Sequence, residues 1–403
     1  MSSFGKISTR LRCQLAVPLF GAILTLGCGS GAASEPNGSS ARKAGNGSAE
    51  SNQANDDQSA AEPSASVKRP RVVGYLPTYK FAEQPALHLE TLTHLNIAFA
   101  IPNDEGKVEF AGADPNTIRD IVERAHAAKV KVLVALAGYT GSQQTSDWLD
   151  KDFDRVVDSL LELVDEYHFD GVDVDIEGEN IRSKTYGPLM RTLSKRLAEF
   201  PERKLLTAAV AEYMKENYAA LGTVDFLNIM SYDQCGEWSD ACEHAPIEQA
   251  RDYLRYWSNF RDVDANGEPR TIGAENVVLG VPFYGRCWGE KCPDRVKKPD
   301  NADGTPSNEY YKTTELSYGK ILAYCANQTL SGCSPTADIL SSGDSVTGYY
   351  VSLNSPATIT KKTVEAKSHG GIMIWELAQD DRSAPLFAQI AEAFPKSSDD
   401  SEL

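Results

Sequence analysis

The sequence is short of positive charge. Across 403 residues, Lys and Arg number 40 against 57 Asp and Glu, a formal net charge of −17. That balance argues against nucleic acid as a partner, since phosphates need a basic surface. It also argues against docking on anionic lipid through a polybasic patch. No CxxC occurs, and the six histidines lack metal-ligand spacing, so no metal or other cofactor is expected. Between residues 29 and 68 there is no aromatic residue. Such a segment cannot bury enough apolar surface to offset its ordering entropy, so 29–69 reads as a flexible linker. The apolar run from Leu15 to Leu26 is too short to span a bilayer comfortably. What is present is a 41% apolar content, ample for a core.

Lys6, Arg10 and Arg12 precede that apolar run, which is the layout of an export signal. It ends in Leu24-Thr25-Leu26-Gly27-Cys28. A small residue followed by Cys resembles a bacterial lipobox, in which Cys28 would carry the lipid. An ordinary signal peptide with a chance cysteine is the other reading, and both export the chain. The expected layout is a signal over 1–28, the linker over 29–69, a folded domain over 70–395 and a polar tail over 396–403. A monomer is expected, in the cell envelope or outside the cell, meeting a membrane only through a lipid on Cys28. Beyond Cys13 and Cys28, six cysteines remain: Cys235 and Cys242, Cys287 and Cys292, Cys325 and Cys333. An even number in an exported chain reads as disulfides. Six cysteines allow 15 connectivities; neighbour pairing is the expectation.

From Arg71 onward, eight β-branched runs recur: 72–76, 92–100, 130–137, 169–177, 205–211, 224–232, 277–283 and 371–377. Helical patterns lie between most of them. Asp114-Pro115 reads as an N-cap with Pro at the first helical position. Ile118, Ile121, Val122 and Ala125 then give one apolar face, as do Leu189, Met190, Leu193 and Leu197 further on. Alternating strands and helices of this number predict an α/β fold, a (β/α)8 TIM barrel. A doubly wound sheet would need a Gly-rich phosphate loop after its first strand; Tyr75-Leu76-Pro77-Thr78-Tyr79 stands there instead. The stretch from Arg286 to Leu353 is too long for one helix. It predicts a small α+β insertion between strands 7 and 8, about 287–352, on the loop face where this fold does its chemistry.

The chemistry points to the fourth run, Phe169-Asp170-Gly171-Val172-Asp173-Val174-Asp175-Ile176-Glu177. Side chains alternate along a strand. Val172, Val174 and Ile176 therefore face one way, toward outer helices. Asp173, Asp175 and Glu177 face the other, into a barrel interior that is ordinarily apolar. Same-side neighbours stand about 6–7 Å apart, so crowding and burial push at least one pKa up. A raised carboxyl is what a general acid needs near neutral pH. Glu177, nearest the C-terminal end, would face the mouth. A solvated edge face or a Mg²⁺ or Ca²⁺ site are the competing readings.

The run Asp170-Gly171-x-Asp173-x-Asp175-x-Glu177 resembles the DGxDxDxE signature of family 18 glycoside hydrolases, the chitinase family. Met230-Ser231-Tyr232-Asp233 is similar to that family's MxYD motif, and 280–286 and 370–376 resemble its seventh and eighth strands. Tyr75 fits the first strand, and Ala135-Leu136-Ala137-Gly138 is a loose form of its third-strand SxGG. The resemblance implies a retaining, substrate-assisted cleavage of β-1,4 linkages in N-acetylglucosamine polymers, chitin or chitooligosaccharides. Glu177 would be acid and then base. Asp175 would hold the acetamido N–H and stabilise the positive charge, Asp173 would tune Asp175, and Tyr232 would hydrogen-bond the acetamido group. Trp375 would floor the reacting sugar, with Asp233, Tyr75, Met230 and Arg286 around it. Arg286 also reads as a salt-bridge residue. Trp238 and Trp288 read either as outer platforms for sugars or as packing under their loops. Two alternatives remain: the same mechanism on N-glycan or cell-wall glycan, and a non-catalytic chitin-binding lectin. The second is disfavoured by the presence of Glu177, Asp175 and Tyr232.

Overall fold

The computed structural model describes residues 70–395, apart from 84–85, 183, 216, 301–304 and 306. The expected signal, Cys28, the linker and the tail lie outside the described residues.

Eight strands form a closed parallel ring: β1 (Arg71–Pro77), β2 (His94–Pro102), β3 (Lys131–Ala137), β4 (Gly171–Asp175), β5 (Leu205–Val210), β6 (Phe226–Ile229), β7 (Val277–Pro282) and β8 (Gly371–Trp375). Each pairs with its sequence neighbour, and β1 closes the ring by pairing with both β2 and β8. This is the expected (β/α)8 barrel. The strands read as near-continuous apolar runs because both faces are covered, the outer one by helices and the inner one by other strands.

The helices follow from the same local signals. Asp114 accepts a hydrogen bond from the Asn116 N–H at 3.2 Å and caps Pro115–Ala127, whose Ile118, Ile121, Val122 and Ala125 are buried. Tyr186–Ala198 buries Leu189, Met190, Leu193 and Leu197. Gly171 opens β4 where a Cβ would sit 2.2 Å from the Leu205 carbonyl oxygen, so only glycine lets β4 and β5 approach there.

Between β7 and β8 lies the α+β insertion. Strands Tyr284–Trp288, Thr313–Ser317, Ile339–Ser342 and Tyr349–Ser352 form an antiparallel sheet, with the helix Tyr318–Ala326 between the second and third. Its polypeptide starts at Tyr284, directly after the seventh strand. The six cysteines form three neighbour disulfides: Cys235–Cys242, Cys287–Cys292 and Cys325–Cys333. Each closes a loop of fewer than ten residues, so each pins a local turn and contributes little to global chain entropy.

The barrel interior holds a small apolar cluster of Val73, Tyr75, Ala98, Ala135, Phe226, Val278 and Met373. Ala135 and Ala137 are the β3 partners of Asp173 and Asp175. Small neighbours on β3 leave the room that the acidic row needs.

Candidate active site

Asp173 and Asp175 are 0% and 3% exposed. They point into the barrel while Val172 and Val174 pack outward with the helices. That excludes a solvated edge face. Asp173 is held on three sides. Tyr75 donates its hydroxyl to Oδ2 at 2.6 Å, and Thr207 and Asn228 donate to Oδ1 at 2.5 and 3.1 Å. Burial nonetheless keeps its pKa raised, because those donors offset only part of the desolvation. Asp175 has no such support: its Oδ1 is buried without a hydrogen-bond partner among the described residues. Burial first, then the charges of Glu177 and Asp173, push its pKa well above the ordinary carboxylate range.

Glu177 lies two residues past the end of β4, half-buried at the mouth. Burial and the charge of Asp233 raise its pKa to about 7, opposed by a hydrogen bond from the Tyr139 backbone N–H. The acidic row is therefore graded in depth. Asp173 is fixed at the bottom, Asp175 is crowded in the middle, and Glu177 carries a proton near neutrality at the top. The pair Asp175 and Glu177 titrates as a unit.

The loop after β6 brings Tyr232 and Asp233 to the same mouth. The half-buried Tyr232 phenol keeps its proton, first through desolvation and then through the charges of Asp175, Glu177 and Asp233. Asp233 takes a left-handed backbone, with φ 59°. Its two oxygens accept a fork of hydrogen bonds from Arg286, at 2.7 and 2.6 Å, and its Oδ1 also lies 3.3 Å from His244 Nδ1. Burial alone would raise its pKa, but Arg286 and His244 overcome that and hold the carboxyl well below its usual range. Arg286 is thus an ion-pair residue, on the first strand of the insertion, tying the insertion to the loop after β6. Arg286→Ala takes the guanidinium fork from a half-buried carboxylate and leaves it only His244. It is expected to cost about 2 kcal/mol in urea unfolding, a figure discounted for partial exposure. Arg286→Lys should recover little, since an ammonium cannot form the fork.

Trp375 ends β8 and is partly buried over the interior cluster. Its ring meets Tyr75 edge-on at 5.6 Å and stacks on Phe99 at 5.6 Å. Met230 packs against the same cluster. So the structure gathers Tyr75, Asp173, Asp175, Glu177, Met230, Tyr232, Asp233, Arg286 and Trp375 at the C-terminal end of the barrel. The two loop tryptophans considered as platforms, Trp238 and Trp288, separate. Trp238 is 65% exposed, with Arg286 5.7 Å from its ring centroid, whereas Trp288 is 1% exposed. Of the two readings of Trp288, the structure supports packing: it lies edge-on to Tyr350 inside the insertion.

Sequence reasoning passed over Thr207 and Asn228, the donors to Asp173. Their signal was a single polar residue at an inward position of an otherwise apolar strand. It passed over Phe99, His244 and Ser142 as well. Tyr79, Tyr139 and Tyr213 were also missed as a set. They stand exposed after β1, β3 and β5, respectively. Tyr139 and Tyr213 both feel the charge of Glu177. Tyr79 lines a polar cleft with Lys80, Glu315, Ser317, Lys320 and Gln379. Among the described residues, no group of three or more His, Cys, Asp or Glu side chains is arranged to hold a metal.

A closed parallel barrel with a graded carboxylate row and a tyrosine at its C-terminal mouth defines a (β/α)8 protein built for polar-substrate chemistry. The chain belongs to Glycosyl hydrolases family 18, whose family model matches residues 71–380. Chitinase 1 of Aphanocladium album is 26% identical over 282 residues, covering 63% of this chain and 63% of its own length. The chitinase-like mite allergen Der p 18.0101 of Dermatophagoides pteronyssinus is 25% identical, covering 64% of this chain and 57% of its own. The chain thus spans about three fifths of the length of these relatives. Among solved structures, the GH18 chitinase ChiB from the chitin utilization locus of Flavobacterium johnsoniae matches with a TM-score of 0.62 and 27% identity, covering 81% of this chain and 94% of that one. A Cycas revoluta GH18 chitinase solved with (GlcNAc)3 shares the fold, with a TM-score of 0.59, 22% identity and coverage of 80% and 99%.

Proposed function

We propose that this protein is a retaining, substrate-assisted glycosidase that cleaves β-1,4 linkages of N-acetylglucosamine chains, as the chitinases it is similar to are named for doing. The observation that carries the reading is the graded row Asp173, Asp175 and Glu177, with Glu177 protonated near neutrality. Glu177 donates its proton to the glycosidic oxygen. The substrate's own acetamido oxygen closes on the anomeric carbon, giving an oxazolinium ion, and the leaving sugar departs. Asp175 accepts the acetamido N–H and faces the developing positive charge. Its unpartnered Oδ1 supports that role. Tyr232 donates to the acetamido oxygen, and Trp375 lies under the apolar face of the sugar. Glu177, now ionised, takes a proton from water as that water opens the intermediate with net retention. The exposed Tyr139 and Tyr213 beside Glu177, and the cleft at Tyr79 and Gln379, supply surfaces for sugars on either side. We propose further that residues 1–28 export the chain and that 29–69 tether the barrel, with a lipid on Cys28 where an anchor is present. The three disulfides fit an oxidising compartment.

The test is a time course on chitin tetra- to hexasaccharides, with products read by mass spectrometry across pH. Shortened oligosaccharides are expected. Because Glu177 must be protonated to act, kcat/KM should fall about tenfold per pH unit above its pKa of about 7. No cleavage of these, of N-glycans or of cell-wall glycan would sink the reading and leave a sugar-binding barrel.

A further inference from the structure

The helix Gly138–Lys151, which follows β3, begins beside Glu177. Ser142, in its first turns, is 0% exposed. The Glu177 backbone N–H donates to its Oγ at 2.7 Å, and that Oγ donates in turn to the Gly138 carbonyl at 2.7 Å. Gly138 starts the helix at φ 62°, where a Cβ would stand 2.4 Å from the Phe99 ring. From the same turn, the Tyr139 backbone N–H favours the ionised form of the Glu177 carboxyl. One helix turn therefore acts on the residue twice: Ser142 holds its backbone, and the Tyr139 N–H favours its ionised carboxyl. β4 ends at Asp175, so no ladder bond of that strand fixes Glu177.

We propose that Ser142 is a positioning residue: its hydroxyl, bridging the Glu177 backbone N–H to the Gly138 carbonyl, holds the acid carboxyl against the N-terminal turn of the helix. The inference rests on the reading of Glu177 as general acid. The physical reason is geometric. The backbone of residue 177 sits beyond regular structure, and a side-chain carboxyl is aimed by its own backbone. The helix start contributes free N–H groups and the positive end of the dipole, both of which favour the ionised form. They work against the burial that raises this carboxyl, so its final pKa depends on how closely the turn is held. A hydroxyl that both accepts and donates is what links the two segments; alanine there would leave the Glu177 N–H without its acceptor.

The experiment compares wild type, Ser142→Ala and Ser142→Thr on a chitin hexasaccharide, reading kcat, KM and the pH dependence of kcat/KM, with thermal unfolding alongside. In Ser142→Ala the carboxyl loosens from the Tyr139 N–H. Losing a bond to the ionised form raises its pKa, so the alkaline limb should move up by about half to one unit. The value of kcat should fall about tenfold, with KM within about twofold. Ser142→Thr keeps the hydroxyl and should restore the limb. If Ser142→Ala fails to fold, Tyr139→Pro makes the same measurement: proline is tolerated in a first helical turn and removes the N–H itself. That variant too should raise the limb. A limb unmoved in the soluble variants, whatever their unfolding temperature, would show a merely structural serine and overturn the proposal. Wild-type cleavage that persists in Glu177→Gln would instead sink the reading of Glu177, and the two failures are thus distinguishable.

Discussion

Glu177→Gln is expected to lower kcat on chitin oligosaccharides by about 10³-fold or more while leaving binding within a few-fold. Glutamine keeps the shape and can still occupy the place beside the Tyr139 N–H. It cannot donate a proton to a departing oxygen or take one back from water. In the proposed mechanism both chemical steps pass through this one carboxyl, so the loss should appear in kcat and kcat/KM together, which marks an interaction made in the transition state. In the proposed reading binding is carried elsewhere, by Trp375, Tyr232 and the exposed aromatics, so affinity measured by calorimetry on the inactive variant should survive. The pH dependence of any residual rate should also lose its limb near 7, because the group that titrates there is gone. A variant that retains a tenth or more of the wild-type kcat would remove Glu177 from the mechanism. One that loses binding and activity alike would point to collapse of the site instead.

The barrel and the acidic row were legible because they depend on periodicity. Eight β-branched runs announce eight strands, and a period of two along 169–177 puts three carboxylates on one side of β4. Asp114-Pro115 announced a helix start for the same kind of local reason. What was not legible depends on which strands come together. Nothing in Leu205-Leu206-Thr207 or Phe226-Leu227-Asn228 says that both polar side chains meet Asp173, since that requires the ring to close. The fork from Arg286 to Asp233 spans 53 residues and needs the insertion folded back on the mouth. The peptide bonds Ala98–Phe99 and Trp375–Glu376 are cis without proline, for which the sequence carries no mark. Trp238 and Trp288 each neighbour a cysteine, yet one is open and the other enclosed, because burial in a loop is decided by what packs over it.

Asp175→Asn is expected to cost about 10²–10³-fold in kcat, as removal of one preorganised electrostatic contact at a reacting centre does. Asparagine matches the side chain in size. It can still accept from an acetamido N–H through its oxygen, so KM should change little. It cannot bear negative charge opposite the oxazolinium of the proposed mechanism. The same change should stabilise the fold, with a sign set by the direction of the shift. The folded-state pKa of Asp175 is raised, through burial first and then through the charges of Glu177 and Asp173. A carboxyl raised in the folded state is ionised more readily in the unfolded chain. Wild type therefore loses stability as pH rises from the unfolded value of about 3.9 toward the folded one. Asparagine has no proton to lose, so its unfolding temperature should exceed that of wild type by a margin that grows between pH 4 and pH 8. A margin constant across that range would mean that Asp175 is not held against its charge. A growing margin with full activity would mean that the strained carboxyl serves no chemistry. Only the two changes together, a lower unfolding temperature in wild type at high pH and slower turnover in the variant, assign the cost of burying Asp175 to its work on the substrate.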